Sequence, residues 1–356
     1  MERYHFKNLS PVNTTFLVST PLLALGLGGY VLATEGLQWQ QLLLAIVYYF
    51  ITGLSITAGY HRLFSHRAYK ASWPVRLFFL IFGAATFQNS ALKWSADHRR
   101  HHGNVDTEVD PYNINEGFFY AHMGWVLLKE NPKYANLYPK DLTSDRLIMW
   151  QHKYYLLLCA FFGLILPGLL GALLGSFLYG FAIAGLARVV FVHHATFFIN
   201  SLCHMVGNQP YSLEHSAKDS WLMAFFTYGE GYHNFHHTFQ TDYRNGIRWY
   251  HFDPTKWLIY TLSKFNLAKG LKVIAEEDIE LAKFRVQMEK LEQLELDQTM
   301  IEKAHALFEQ IKKNLQDQKR LRRNNEWALK DELLGEMREL SHSFYNMITL
   351  AKTACA

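Results

Sequence analysis

Long apolar runs without charge alternate with polar, histidine-bearing segments up to about residue 240. From Thr14 to Ala33 (TTFLVSTPLLALGLGGYVLA) twenty residues carry no charge, and from Leu42 to Tyr60 (LLLAIVYYFITGLSITAGY) another nineteen follow. As helices rising 1.5 Å per residue, both are long enough to cross a hydrocarbon layer of about 30 Å. A third apolar stretch begins near Tyr154, breaks at Pro167-Gly168 and leads through Gly175 into a fourth ending near Asn200, whose only basic residue is Arg188. The pattern predicts four membrane spans. A shorter segment, Pro74 to Phe87 (PVRLFFLIFGAATF), reads as an amphipathic helix lying at or dipping into the membrane surface. A crossing there would put the histidines before and after it on opposite sides.

From about Glu276 to Ala356 the pattern changes to Glu, Lys, Gln and Leu. Apolar residues recur at Leu294, Ile301, Phe308 and Leu315, with Ala304 and Ile311 between them, a 3-4 spacing over three heptads. This predicts an amphipathic helix that either packs on the body of the protein or serves for docking or oligomerisation. The fold class is therefore an all-α integral membrane protein with four transmembrane helices and a cytoplasmic helical cap. The expected domains are 1–275, the membrane domain, and 276–356, a charged helical extension.

Composition changes this picture little. A hydrophobic fraction of 50% in 356 residues suits a globular core or a membrane protein, and the mean hydropathy of −0.07 misleads because the polar C-terminal region averages out the spans. Charge placement says more. The connection Thr34 to Gln41 and the turn between the third and fourth spans carry no Lys or Arg, whereas the N-terminus, the segment from His61 to Lys153 and everything after Asn200 are studded with them. The positive-inside rule puts those three regions, and both termini, in the cytoplasm. The leader with Glu2, Arg3 and Lys7 precedes an apolar run too long for a signal peptide, so a retained span is expected. The net charge of +4 reflects this bias and calls for no nucleic acid. Cys159, Cys203 and Cys355 are too scattered for a disulfide framework or a thiolate metal site.

The histidines carry the chemistry. His61 and His66 (HRLFSH) follow the second span. His98, His101 and His102 (DHRRHH) stand at i, i+3, i+4 and would share one helical face. His233, His236 and His237 (GEGYHNFHH) repeat that spacing. Three such boxes on one predicted side are a metal-binding pattern, and eight imidazoles exceed what one ion holds, so at least two metals are implied. Structural zinc sites favour cysteine and four ligands per ion. An imidazole-rich pair suits a redox metal, iron first, though zinc can misincorporate at such ligands.

The segments GLSITAGYHRLFSHRAYKA, FQNSALKWSADHRRHH, DPYNINEGFFYAHMGW and NSLCHMVGNQPY followed by GEGYHNFHHTF resemble, in order, those of the membrane-bound fatty acyl desaturases, specifically the stearoyl-CoA (delta-9) type. The resemblance runs from about Leu42 to Gly270. It implies a di-iron centre held by His61, His66, His98, His101, His102, His204, His233, His236 and His237, with Asn200 acting through water. It also implies a substrate tunnel near Gln88, Asn89, Trp94 and Asp97, and contact of Lys129 with a CoA headgroup. Dioxygen is the implied co-substrate. The product would be a cis double bond at carbon 9 of a saturated C16 to C18 chain. His193 and His194, under two turns before Asn200, are read as helix-packing or interface residues, with a minor alternative as donors behind the ligands.

Such chemistry suits the residues. Abstracting hydrogen from unactivated methylenes is beyond a side-chain base, so an oxidising metal centre is required. The chain shows no GxGxxG fingerprint, no iron–sulfur cysteine set and no fused haem-binding domain, so electrons are expected from a cytochrome b5 or ferredoxin fed by a reductase. Rival readings are a membrane di-iron hydroxylase, against which NSLCH counts, and a metal transporter, whose ligands would lie within the spans. The carrier of the acyl chain is less fixed. Where the stearoyl-CoA enzymes have Arg before the Asp of the second box and an Arg-Lys pair after GW, this chain has Ala96 and Lys129-Glu130, which weakens a phosphate-binding surface. Arg62, Arg67, Lys70, Arg244 and Arg248 are expected to compensate. Acyl-CoA is preferred over an acyl-phospholipid or acyl-carrier protein, and membrane lipid is the surrounding partner.

Overall fold

The computed structural model describes residues 8–134, 136–294, 296–324 and 326–354. Glu2, Arg3 and Lys7 of the leader, and Cys355, lie outside them. The chain divides into two compact units, 1–207 with 216–272 and 208–215 with 273–356.

Among the described residues, four helices of the first unit are long and apolar enough to cross a membrane: α1 (Pro11–Glu35), α2 (Trp39–Ser65), α5 (Tyr155–Leu173) and α6 (Phe177–Met205). Many of their apolar side chains point outward, among them Leu25, Leu156, Leu173 and Phe191, as lipid-facing helices require. The connections α1–α2 and α5–α6 are tight, so each pair is an antiparallel hairpin. Both connections lie at one end of the bundle: Ser176 Oγ donates to Glu35 at 2.9 Å and Gln41 Nε2 to the Gly171 carbonyl at 3.0 Å. The C-terminal ends of α2 and α6, which carry the first box and Asn200–His204, therefore share the opposite end.

Between α2 and α5 runs α3 (Trp73–Ala84), twelve residues and too short to cross. It packs on the upper part of α2 through two glycines. A Cβ on Gly59 would sit 2.6 Å from Phe79 Cβ, and one on Gly83 would sit 2.4 Å from the Tyr60 ring. The second box is thus kept at the same end as the first, on α4 (Ala91–Gly103), which is capped by Ser90. The third box lies on α7 (His233–Thr238). A two-residue antiparallel ladder, β1 (Lys70–Ala71) with β2 (Ala268–Lys269), joins distant parts of the unit in the register Lys70 to Lys269.

Among the described residues, the second unit has three helices, α8 (Glu276–Glu292), α9 (Gln298–Arg323) and α10 (Trp327–Ala354). Ala304, Ile311 and Leu315 of the predicted seam are buried with Phe284, Met288, Phe344 and Ile348. The 3-4 pattern is therefore satisfied within this unit, a use the sequence reading did not include.

Candidate metal centre

Five imidazoles, His61, His66, His98, His102 and His236, bring one ring nitrogen each to within 4.8 Å of one another. His101, His204, His233 and His237 form a second group on the same criterion. On α4 the i, i+4 pair His98 and His102 serves the first group while His101 serves the second. On α7 the pair His233 and His237 serves the second while His236 serves the first. The second and third boxes are thus each split between the two groups, while both histidines of the first box join the five-histidine group.

His61 and His66 meet because α2 changes its winding. From Ser55 to Ser65 it is π-helical, and the His66 N–H donates to the His61 carbonyl five residues back at 3.1 Å. On an α-helix residues five apart point about 140° from each other; wider π turns bring them to one side, as often at functional sites.

The donor set fits metal ions. Nε2 atoms converge at 2.8 Å between His66 and His98, 3.0 Å between His61 and His236 and between His236 and His102, 3.1 Å between His237 and His233, and 3.3 Å between His101 and His237. Nitrogens about 2.1 Å from one ion would be spaced this way. Burial first, and then the neighbouring imidazoles, hold His66, His98, His102, His236 and His237 well below the usual histidine range. They are neutral, the form that binds metal.

Outer partners aim these rings. Glu230 accepts from His61 Nδ1 at 3.0 Å, Asp110 from His101 Nδ1 at 2.8 Å, and Ser216 Oγ lies 2.7 Å from His204 Nδ1. Each such bond fixes the tautomer that turns Nε2 inward. Ser216 is itself held by Asp106, whose oxygens take its hydroxyl at 2.6 Å and its N–H at 2.7 Å. Glu230 also accepts from Arg62 at 2.9 and 3.2 Å, and Arg62 donates to both oxygens of Asp253 at 3.0 Å. Burial opposes ionisation of Glu230, but the adjacent Arg62 guanidinium and the hydrogen bond from His61 outweigh it and hold the carboxyl below its usual range.

An apolar cavity abuts the first group. Its lining includes Phe16, Ile56, Phe87, Trp125, Phe197 and Ile199, and also His61, His98, Asn200 and Glu230. Of the expected substrate residues, Gln88, Asn89, Trp94 and Asp97 line it, and Trp94 stacks on the His98 ring at 4.9 Å. Lys129 does not; it is exposed, and its backbone N–H donates to the Asn8 carbonyl at 2.8 Å. Asp97 is bracketed by Lys93 and Arg100 at 3.2 and 2.9 Å, yet burial outweighs both and raises its carboxyl above the ordinary range.

His193 and His194 join neither group. His193 Nε2 donates to the Thr86 carbonyl at 2.7 Å, and His194 Nδ1 lies 3.0 Å from His122 Nε2. Arg62 corrects an expectation: it is 1% exposed and locked to Glu230 and Asp253, so it has no donor to offer a solvent-facing phosphate. Arg244 is likewise paired with Asp242, while Arg67, Lys70 and Arg248 are exposed. The outer partners Glu230, Asp110, Asp106 and Ser216 were not picked from sequence. Glu230 stands three residues before His233, and Asp106 and Asp110 follow the second box closely, but proximity in sequence does not say which imidazole each would meet.

The pattern of the fatty acid desaturase family matches residues 37–268, and the chain belongs to that family. It is 44% identical over 277 residues to the probable acyl-CoA desaturase of Schizosaccharomyces pombe, an overlap of 77% of this chain and 57% of that one. To acyl-CoA desaturase 1 of Saccharomyces cerevisiae it is 43% identical over 290 residues, 80% of this chain and 56% of that one. To the Delta(9)-fatty-acid desaturase fat-7 of Caenorhabditis elegans it is 38% identical over 248 residues, 68% and 73% of the two chains. The chain thus spans little more than half the length of the two yeast relatives.

Proposed function

We propose that this protein is an oxygen-dependent acyl-CoA desaturase that places a cis double bond at carbon 9 of a saturated C16 to C18 chain, with His61, His66, His98, His101, His102, His204, His233, His236 and His237 as ligands of two irons and Asn200 acting through water. One observation carries the reading: imidazoles buried but for the half-buried His102 converge in two groups, the first of them beside an apolar cavity whose wall includes His61, His98 and Asn200. When bound, two irons supply the oxidising chemistry by which dioxygen, with two external electrons and two protons, takes two hydrogens from adjacent methylenes and leaves as two waters. The chain's own residues do the rest. Apolar walls hold the acyl chain and exclude water, Trp94 fixes the His98 ring, and Glu230, Asp110 and Ser216 hold ligand tautomers.

Electrons come from a donor outside the described residues, a cytochrome b5 or ferredoxin with its reductase. The first unit carries the whole catalytic apparatus, and the histidine end of the bundle faces the cytoplasm. Self-association through the C-terminal unit would have to use a face other than the buried Ala304–Ile311–Leu315 seam. A second reading, an acyl-phospholipid substrate, is favoured by one observation: Glu130, where the family has a basic residue, takes up the Lys93 charge at 2.7 Å, leaving less positive charge for CoA phosphates. In the acyl-CoA reading Lys129 contacts the headgroup, and Lys129→Glu raises KM with little change in kcat.

His101→Ala and His237→Ala test the centre. Each should abolish desaturation and deplete metal. Full activity in either would remove the dinuclear assignment.

A further inference from the structure

The cavity wall contains a backbone turn that local preference does not select. Phe87 and Asn89 have φ of 60° and 78°, a left-handed conformation disfavoured for any residue with a β-carbon and most of all for a bulky one with no local polar bond to offer. Such a backbone persists only where its surroundings hold it. Here they do. The Thr86 carbonyl accepts from His193 Nε2 at 2.7 Å and the Ala85 carbonyl from Arg188 Nη1 at 2.7 Å. Gln88 Nε2 donates to Thr196 Oγ1 at 2.9 Å, and the Asn89 N–H to the Tyr155 hydroxyl at 2.8 Å. The Phe87 ring stacks on Phe16 at 5.2 Å. On its far side Gly163 makes room, because a Cβ there would lie 2.5 Å from Phe87 Cε2.

His193, Thr196 and Asn200 stand at i, i+3 and i+7 on α6, so they share one face, and all three line the cavity. From His193 to Asn200 the helix rises about 10 Å. The turn is thereby docked in fixed register along the helix whose end carries Asn200. Phe87, Gln88 and Asn89 face the same cavity as His61 and His98.

We propose that His193 is a positioning residue for specificity: by holding the Thr86 carbonyl it keeps the Phe87–Asn89 turn in its left-handed form, and that turn sets which methylenes of an acyl chain lie beside His61 and His98. The inference rests on the desaturase reading above. An acyl chain has no polar handle at its middle, so only the shape of the wall can fix its position. A histidine that merely packed α6 would affect stability and leave the product unchanged.

The test compares full-length, iron-loaded wild type with His193→Ala, His193→Gln and Gly163→Ala on saturated acyl-CoA substrates of graded length, reading double-bond position and chain-length preference by mass spectrometry and metal content by elemental analysis. His193→Ala should keep its metal and change the kcat/KM ratio between C16 and C18 substrates by threefold or more, with double bonds at new positions. His193→Gln, whose amide can still donate to the Thr86 carbonyl, should restore the wild-type profile. Gly163→Ala, which keeps His193 but crowds the Phe87 ring and the Ala85 carbonyl of the same turn, should shift the profile too, and it decides the case if His193→Ala fails to load metal. An unchanged profile in active His193→Ala, or in Gly163→Ala where His193→Ala is not loaded, overturns the proposal alone. Absence of unsaturated product from the wild type overturns the desaturase reading and this proposal with it.

Discussion

Glu230 lies 3.0 Å from His61 Nδ1 through one carboxylate oxygen, while the other takes two donors from Arg62. One buried carboxylate thus couples an imidazole of the five-histidine group to the ion network that ties α2 to the segment around Asp253. Replacing it with Gln keeps the shape but weakens the acceptor and leaves His61 free to turn. Glu230→Gln should lower affinity for metal at the five-histidine group by about 10- to 100-fold, measured by chelator competition. Wild-type affinity would show that Glu230 does not hold His61.

The four-histidine group has separate support. Asp110 holds His101, and Asp106 holds Ser216 against His204. Asp110→Asn and Ser216→Ala should therefore reduce metal content from two ions per chain toward one, leaving the group around His61 filled. Simultaneous loss of both ions would mean the two groups are not independently supported.

Burial pushes the Asp219 carboxyl up to about 7, against the Phe235 and Asn234 N–H groups that favour its charged form. Between about pH 4 and 7 the folded chain then keeps a proton that the unfolded chain has released. This contribution to stability is full below the unfolded value and is lost as pH rises through the folded one. Asp219→Asn retains an acceptor for the Phe235 N–H and cannot ionise, so its Tm relative to wild type should climb between pH 4 and 7. A constant difference would contradict the shifted carboxyl.

The nine histidines of the two groups all belong to the first unit, and the second has its own buried core. Ending the chain after Ala275 should therefore keep both ions. Metal analysis of the truncated protein checks this, and loss of the ions would give the C-terminal unit a role in forming the site.

The spans were legible because a bilayer demands long uncharged runs, and the boxes because imidazoles at helical spacing are rare without a ligand to share. His204 was reached only through resemblance, since a lone histidine four residues from Asn200 has no spacing signal of its own. The π-helical winding that unites His61 with His66 leaves no mark in residue type, and neither does the division of the second and third boxes between two groups. Arg62 was misread as a surface cation because sequence records its charge but not Glu230 and Asp253 folding around it. The seam at Ala304 and Ile311 carried a correct periodicity whose partners, Phe284 and Phe344, could not be paired with it from spacing alone.

The decisive assay gives purified, iron-loaded protein a working electron donor, dioxygen and stearoyl chains on CoA, phospholipid or carrier protein, and measures metal content and product together. Two irons per chain and a cis double bond at carbon 9 of the CoA-borne chain are expected. Turnover of the phospholipid alone would replace the carrier and keep the desaturase. A hydroxylated product, or no oxidation with both irons bound, would rule out a desaturase.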